Sequence, residues 1–233
     1  MIKNPSLILN IEKACKLTDK AFDYILDKIR EGVSEKELAF EIEFFIKKNG
    51  ADIEFPSIVA FGKNSAFPHH KPTDKRLATN DQILIDIGAK VNGYCSDMSR
   101  TVFFGKASSE QKRMYQTVLE AQQKALETLA CKESPSRRRL LAKNLDKIAR
   151  DYIISKGYPT IPHSLGHGIG RKVHEAPKLS PKSEDILKPC MVFTIEPGIY
   201  IEGFGGVRIE DVVALENCRV RLITKAPRGS IIL

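Results

Sequence analysis

The spacing of apolar positions changes several times along this chain, and each change marks an element. Ile11, Ala14, Cys15, Ala21, Phe22, Ile25, Leu26 and Ile29 recur at helical spacing until Gly32. Asn4 stands before them as N-cap and Pro5 at the first helical position. The stretch from Ser34 to Glu37 reads as a capping box for a second helix, which buries Leu38, Ile42, Phe45 and Ile46 and closes at Asn49-Gly50. Strand signals follow. Residues 55–61 are short and apolar, and residues 83–87 are apolar apart from Asp86. Asn92-Gly93 reads as a two-residue hairpin turn, after which residues 94–104 run as one strand to Gly105.

The second half repeats that order. Residues 108–132 form a long helix with Ser108 and Gln111 placed as a capping box, and residues 136–156 form another, stopped by Gly157 with Pro159 beyond. Strands over 192–195, 199–201, 207–215 and 220–223 complete the chain. The halves share an order of elements without a residue-level repeat, and no low-complexity linker divides them. Residues 1–233 are therefore read as one α+β domain with a curved, mostly antiparallel sheet.

Composition narrows the classes. With 42% hydrophobic and 28% charged residues, the chain is ordinary globular material, and 233 residues bury roughly 70% or more of the unfolded surface. No apolar run approaches the ~20 residues that span a bilayer, and the N-terminus lacks the apolar core of a signal peptide. Cys15, Cys95, Cys131, Cys190 and Cys218 are odd in number and scattered, which implies neither a disulfide framework nor a structural zinc site and agrees with a cytoplasmic location. The net charge of +8 is spread along the chain. Its one tight run, Arg137-Arg138-Arg139, reads as a solvated helix face, so neither a specific nucleic acid nor a membrane is expected as partner.

The chemistry lies in a few polar residues at apolar places. Asp86 interrupts a buried strand, and Asp97 follows across the turn, nearly opposite it in a simple hairpin. Such a pair is either two edge carboxylates, or two close charges that need a cation or a shared proton. His163 and His167 have the spacing of a helical zinc pair, but Gly166, Gly168 and Gly170 argue against a helix there. Glycines beside a histidine point instead to close approach of backbone to a ligand. Glu196 ends a buried strand at Pro197-Gly198, and Glu210 sits inside a β-branched run. Four carboxylates and one imidazole match a cluster of two divalent ions such as Mn²⁺, which can activate a bridging water.

At this point a resemblance becomes specific. Asp86-Ile-Gly-Ala, Gly93-Tyr-Cys-Ser-Asp97-Met-Ser-Arg-Thr, His163-Ser-Leu-Gly-His167-Gly-Ile-Gly, His174-Glu, Thr194-Ile-Glu196-Pro-Gly and Gly206-Val-Arg208-Ile-Glu210-Asp resemble the five-ligand signature of the dinuclear pita-bread metallopeptidases. That family includes Xaa-Pro aminopeptidase, prolidase and methionine aminopeptidase. The resemblance implies a pita-bread fold of two pseudo-two-fold halves and a peptide substrate. It makes Asp86 a ligand of one metal, Asp97 and Glu210 bridges, His167 a ligand of the other, and Glu196 both ligand and general base. It gives His174 the substrate carbonyl or the tetrahedral intermediate, and makes His69, rather than His70, the further active-site histidine. Phe61-Gly-Lys-Asn-Ser-Ala-Phe-Pro-His69, His163 and Arg208 are similar to the Xaa-Pro branch, whose members often carry an N-terminal domain ahead of the helix that opens this chain.

The expectation is thus a metalloaminopeptidase acting on Xaa-Pro peptides, a monomer or homodimer, with Mn²⁺ as its metal and Co²⁺, Zn²⁺ or Fe²⁺ as other candidates. Methionine aminopeptidase is the alternative enzyme, and a non-catalytic binding module of the same fold the alternative class.

Overall fold

The computed structural model describes residues 2–130, 140–216 and 219–233. Helix α1 (Pro5–Leu26) begins where Asn4 Oδ1 accepts the Leu7 N–H at 3.0 Å. It ends earlier than the apolar spacing predicts, because the Asp27 N–H turns back to the Ile25 carbonyl. Ile29 lies outside the helix yet still packs, half-buried, on the same core. Helix α2 (Glu35–Lys48) has the reciprocal capping box: Ser34 Oγ accepts from Glu37 N–H at 3.2 Å, and the Glu37 carboxylate accepts from Ser34 N–H at 2.7 Å. Ser108 and Gln111 make the same exchange ahead of α3 (Ser109–Ala130). Helix α4 (Ala142–Ser155) starts later than the 136 expected of it, since Leu141 is extended and bridges to Ile186. Positions 136–139 with Arg137, Arg138 and Arg139, and also Cys131, Lys132 and Cys218, lie outside the described residues.

The strands are β1 (Asp52–Ile53), β2 (Ile58–Phe61), β3 (Gln82–Ile87), β4 (Ala89–Val91), β5 (Tyr94–Cys95) and β6 (Met98–Phe103) in the first half. The second half supplies β7 (Gly166–Gly168), β8 (Glu175–Leu179), β9 (Val192–Ile195), β10 (Gly198–Ile201), β11 (Gly205–Arg208), β12 (Asp211–Glu216) and β13 (Arg219–Leu222). They form sheets of order β2-β3-β6, β1-β4-β5, β10-β11 and β13-β12-β9-β7-β8, with antiparallel ladders. The antiparallel α+β expectation holds. The strand expected over 55–61 shortens to β2, because Pro56 has no N–H to give a ladder.

Two long strands of the expectation are broken. The run 94–104 divides at Ser96-Asp97 into β5 and β6, and 207–215 divides at Ile209-Glu210 into β11 and β12. The turn itself is as read: Val91 pairs with Tyr94, and Asn92 and Gly93 have φ of 53° and 77°. Beyond the break, however, Asp86 faces Ser99 rather than Asp97. Each half therefore contains a hairpin whose base and tip belong to different sheets: β3 and β6 below β4 and β5, β9 and β12 below β10 and β11.

Helices α1 and α2 pack Phe22, Ile25, Leu38 and Ile42 against Phe61, Ile83 and Ile85, all fully buried. Helices α3 and α4 do the same with Met114, Val118, Leu145 and Ala149 against Phe193 and Val213. Each large side chain so removed from water contributes about 1.5–3 kcal/mol, and the sum holds the two broken hairpins in place. Among the described residues no helix is long and apolar enough to cross a membrane.

Candidate metal centre

The hairpin breaks create the site. Where a ladder is interrupted, a side chain escapes the strict in-and-out alternation of a strand. Asp97 and Glu210 occupy the two breaks, while Asp86 is next to last in β3 and Glu196 directly follows β9. The Glu210 N–H bonds to the Ser99 carbonyl at 3.0 Å, so the second hairpin docks on the first at the level of its break.

His167 stands in the middle of β7. A Cβ on Gly166 would lie 2.0 Å from the Thr194 carbonyl oxygen, and one on Gly168 would lie 2.1 Å from that of Ala176. These two glycines therefore serve close packing against β8 and β9, which corrects the expectation that they admit a ligand. His167 Nε2 lies 3.5 Å from Asp97 Oδ2 and 3.3 Å from Glu196 Oε1. Its Nδ1 donates to the Gly168 carbonyl at 3.2 Å, which leaves Nε2 as the ring nitrogen turned to the carboxylates. Asp97, His167 and Glu210 each present a ligand atom within 4.8 Å of the others.

So many buried acids strain one another electrostatically. Burial, reinforced by Asp86, pushes Asp97 up to about 7. Burial raises Asp86 too, against the pull of Arg208, and burial plus the Asp97, Glu196 and Asp86 charges hold Glu210 well above the usual carboxylate range. At His167 burial opposes a charge, but the bonds to Asp97 and Glu196 override it and lift the ring to about 11. Burial opposes ionised Glu196 as well, and the bond to His167 wins there.

The donors fit divalent cations. Asp86 Oδ2 accepts from Arg208 Nη2 at 2.6 Å, and Glu210 Oε2 accepts from the Ser99 hydroxyl at 2.7 Å. Among the described residues Asp86 Oδ1 and Glu210 Oε1 are buried without a hydrogen-bond partner. A buried polar atom left unpaired costs ~1–3 kcal/mol, more for a charge. A cation satisfies two such oxygens at once. Each of these carboxylates is anchored on one side and free on the other, as a metal ligand with a supporting hydrogen bond is.

The remaining expected residues surround a cavity of about 880 Å³, which the four carboxylates, His69, His70, His163, His167, His174 and Arg208 line. Its apolar side is Phe55, Pro56, Ile58 and Val173. The Phe55 ring lies over Gly88, where an added Cβ would come within 2.3 Å of it. The His174 ring meets the His167 ring edge-on at 4.3 Å, and burial and the charge on His167 lower its pKa. His69 is exposed at the wall, whereas His70 Nε2 is held by Glu35 Oε2 at 2.8 Å.

Arg208 belongs to a directed chain. A guanidinium can only donate. Tyr200 Oη therefore accepts from Arg208 Nη1 at 2.9 Å and gives its own proton to His163 Nε2 at 2.8 Å, whose Nδ1–H bonds the Ser164 carbonyl at 2.8 Å. Sequence reasoning missed Tyr200, Ser99 and Glu35. Tyr200, four residues beyond Glu196, looks like any strand tyrosine, and Ser99 and Glu35 look like ordinary strand and first-turn helix residues. Only the tertiary pairing shows what they hold.

Residues 10–217 match the model described as metallopeptidase family M24. The chain is 44% identical over 230 residues to the Xaa-Pro dipeptidase of Pyrococcus furiosus, covering 98% of this chain and 64% of that protein. It superposes on an Xaa-Pro dipeptidase from Bacillus anthracis with a TM-score of 0.93 at 44% identity, covering 100% of this chain and 64% of that one. An X-Pro aminopeptidase from Thermotoga maritima gives a TM-score of 0.93 at 40% identity, with 100% and 65% covered. The chain thus spans 64–65% of the length of these relatives. The expected pita-bread arrangement holds, and by both sequence and structure this chain belongs to metallopeptidase family M24.

Proposed function

We propose that residues 1–233 act as the catalytic unit of a divalent-metal-dependent peptidase that hydrolyses the bond preceding proline, with the Xaa-Pro dipeptide as preferred substrate. The observation that carries this reading is the pair of half-anchored carboxylates, Asp86 and Glu210, each with one buried unpartnered oxygen, which line one cavity with Asp97, His167 and Glu196. The dipeptide preference is supported by the relatives named Xaa-Pro dipeptidase. Longer Xaa-Pro peptides are the second reading, supported by the X-Pro aminopeptidase.

Asp86, Asp97, His167, Glu196 and Glu210 would hold two ions, Mn²⁺ first among those that such oxygen and imidazole donors accept. Ions bound there would supply Lewis-acid chemistry to the scissile carbonyl and to the attacking water. Glu196 would take a proton from the attacking water. Thr194 Oγ1 orients the Glu196 carboxylate by donating to Oε1 at 3.1 Å. His174, kept neutral by burial, donates to the carbonyl oxygen as negative charge develops, with His69 beside the same cavity. Arg208, Tyr200 and His163 form the hydrogen-bonded chain that fixes Asp86 and one wall of the pocket. The apolar side at Phe55, Ile58 and Val173 suits the substrate's side chain and the proline ring.

A panel of Xaa-Pro dipeptides, Xaa-Pro-Yaa tripeptides and Met-Ala peptides, assayed with Mn²⁺ and with chelator, tests this. Chelator-sensitive turnover of the dipeptides is the expected result. Turnover of Met-Ala peptides alone would mean a methionine aminopeptidase, and no turnover with no bound metal a binding module.

A further inference from the structure

Glu35 is fully buried in the first turn of α2, and its carboxylate is crowded with donors. Oε1 accepts from the Phe61 N–H at 2.8 Å and from Asn64 Nδ2 at 2.9 Å. Oε2 accepts from His70 Nε2 at 2.8 Å, Thr73 N–H at 2.9 Å and Thr73 Oγ1 at 2.6 Å. One oxygen thus holds the start of segment 61–73 and the other holds its end. The helix reinforces the tie, since the Glu35 and Lys36 N–H groups bond to the carbonyls of Lys75 and Thr73 at 3.1 Å. An ionised carboxylate at a helix N-terminus meeting several donors is favourable, and only such an anion accepts from all of them.

The segment so closed carries Pro68, His69, His70 and Lys71 into the cavity wall, and the Pro68 carbonyl accepts from Arg208 Nη1 at 3.2 Å. His70 is spent on the tie: the ring nitrogen facing the carboxylate must carry a proton. His69, next along the chain, is the histidine left to face substrate.

Resting on the peptidase reading above, we propose that Glu35 is a positioning residue that sets where His69 stands relative to the metal centre by clasping both ends of segment 61–73. It touches neither substrate nor metal. Its effect on turnover therefore passes through His69, and a double-mutant cycle separates that from loss of stability.

In a cycle of Glu35→Gln with His69→Ala, E35Q alone is expected to lower kcat for an Xaa-Pro dipeptide by about tenfold to a hundredfold at full metal content. In the H69A background it should add less than about twofold. Equal factors in both backgrounds, or a folded E35Q with wild-type kcat, would overturn the proposal. If E35Q does not fold, Thr73→Val removes one donor to Oε2 and runs through the same cycle. A readout independent of activity is ¹⁵N NMR of the His70 ring with hydrogen exchange of residues 62–73. The wild type should show protonated Nε2, and E35Q should lose that signal and exchange faster in 62–73 while β9 and β12 stay protected. Unchanged exchange there would overturn the proposal even if the wild type cleaves no peptide, an outcome that by itself counts only against the functional reading.

Discussion

Arg208 Nη2 donates to Asp86 Oδ2 at 2.6 Å while Arg208 Nε donates to Ser99 Oγ at 2.7 Å, and Ser99 passes its own proton to Glu210 Oε2. One buried guanidinium thereby aligns carboxylates from both hairpins. Lysine keeps the charge but not the planar fork. Arg208→Lys should weaken Mn²⁺ binding by roughly tenfold to a hundredfold, the worth of one or two charge-assisted hydrogen bonds. Titration calorimetry on chelator-treated protein checks this, and an unchanged affinity would mean that Asp86 does not need its anchor.

Asp97 and Glu196 have different tasks in the proposed reaction, one as a bridge between ions and one as a proton acceptor. Asp97→Asn and Glu196→Gln should each reduce hydrolysis by about 10²–10⁴-fold, with circular dichroism and unfolding transition retained. Rates near wild type in either variant, assayed with added Mn²⁺, would show that its role is misassigned.

The two neighbouring histidines can be told apart. His70 is turned to Glu35, and His69 is exposed at the cavity wall. His69→Ala should cost more in kcat/KM than His70→Ala, and His70→Ala should cost more in thermal stability because it removes a donor from a buried carboxylate. The opposite ordering in both measurements would exchange their roles.

Glu35 also predicts a pH dependence. Burial opposes its charge, but bonds from Thr73, Phe61, His70 and Asn64 outweigh that and hold its carboxyl below the usual range. A folded-state pKa below the unfolded one gives stability that is fully present above the unfolded value and lost as pH falls through the folded value. The stability advantage of wild type over E35Q in urea should therefore be constant near neutrality and shrink as pH drops below about 4.5. An advantage that grows on acidification would contradict the assignment.

Much of this site was legible because its chemistry conflicts with its surroundings. Asp86 within an apolar strand, Glu196 before Pro197-Gly198 and His167 between glycines each break a local rule, and the structure brings all three to one cavity. The breaks at Ser96-Asp97 and Ile209-Glu210 were not legible. Both lie in runs that continue as strands by composition, and at the second break the Glu210 N–H leaves its own ladder for the Ser99 carbonyl of the other hairpin. Glu35 carried a different ambiguity, since a glutamate in a first helical turn ordinarily faces water. Its burial depends on residues 61–73, which lie well beyond its own helix.

Anomalous diffraction from crystals of the chain grown with Mn²⁺ shows whether the four carboxylates and His167 hold metal ions. Two peaks are expected, with Asp97 and Glu210 shared between them and Asp86 and His167 on different ions. Peaks only at the molecular surface, with the Asp86 and Glu210 side chains unmoved and unbound, would contradict that expectation.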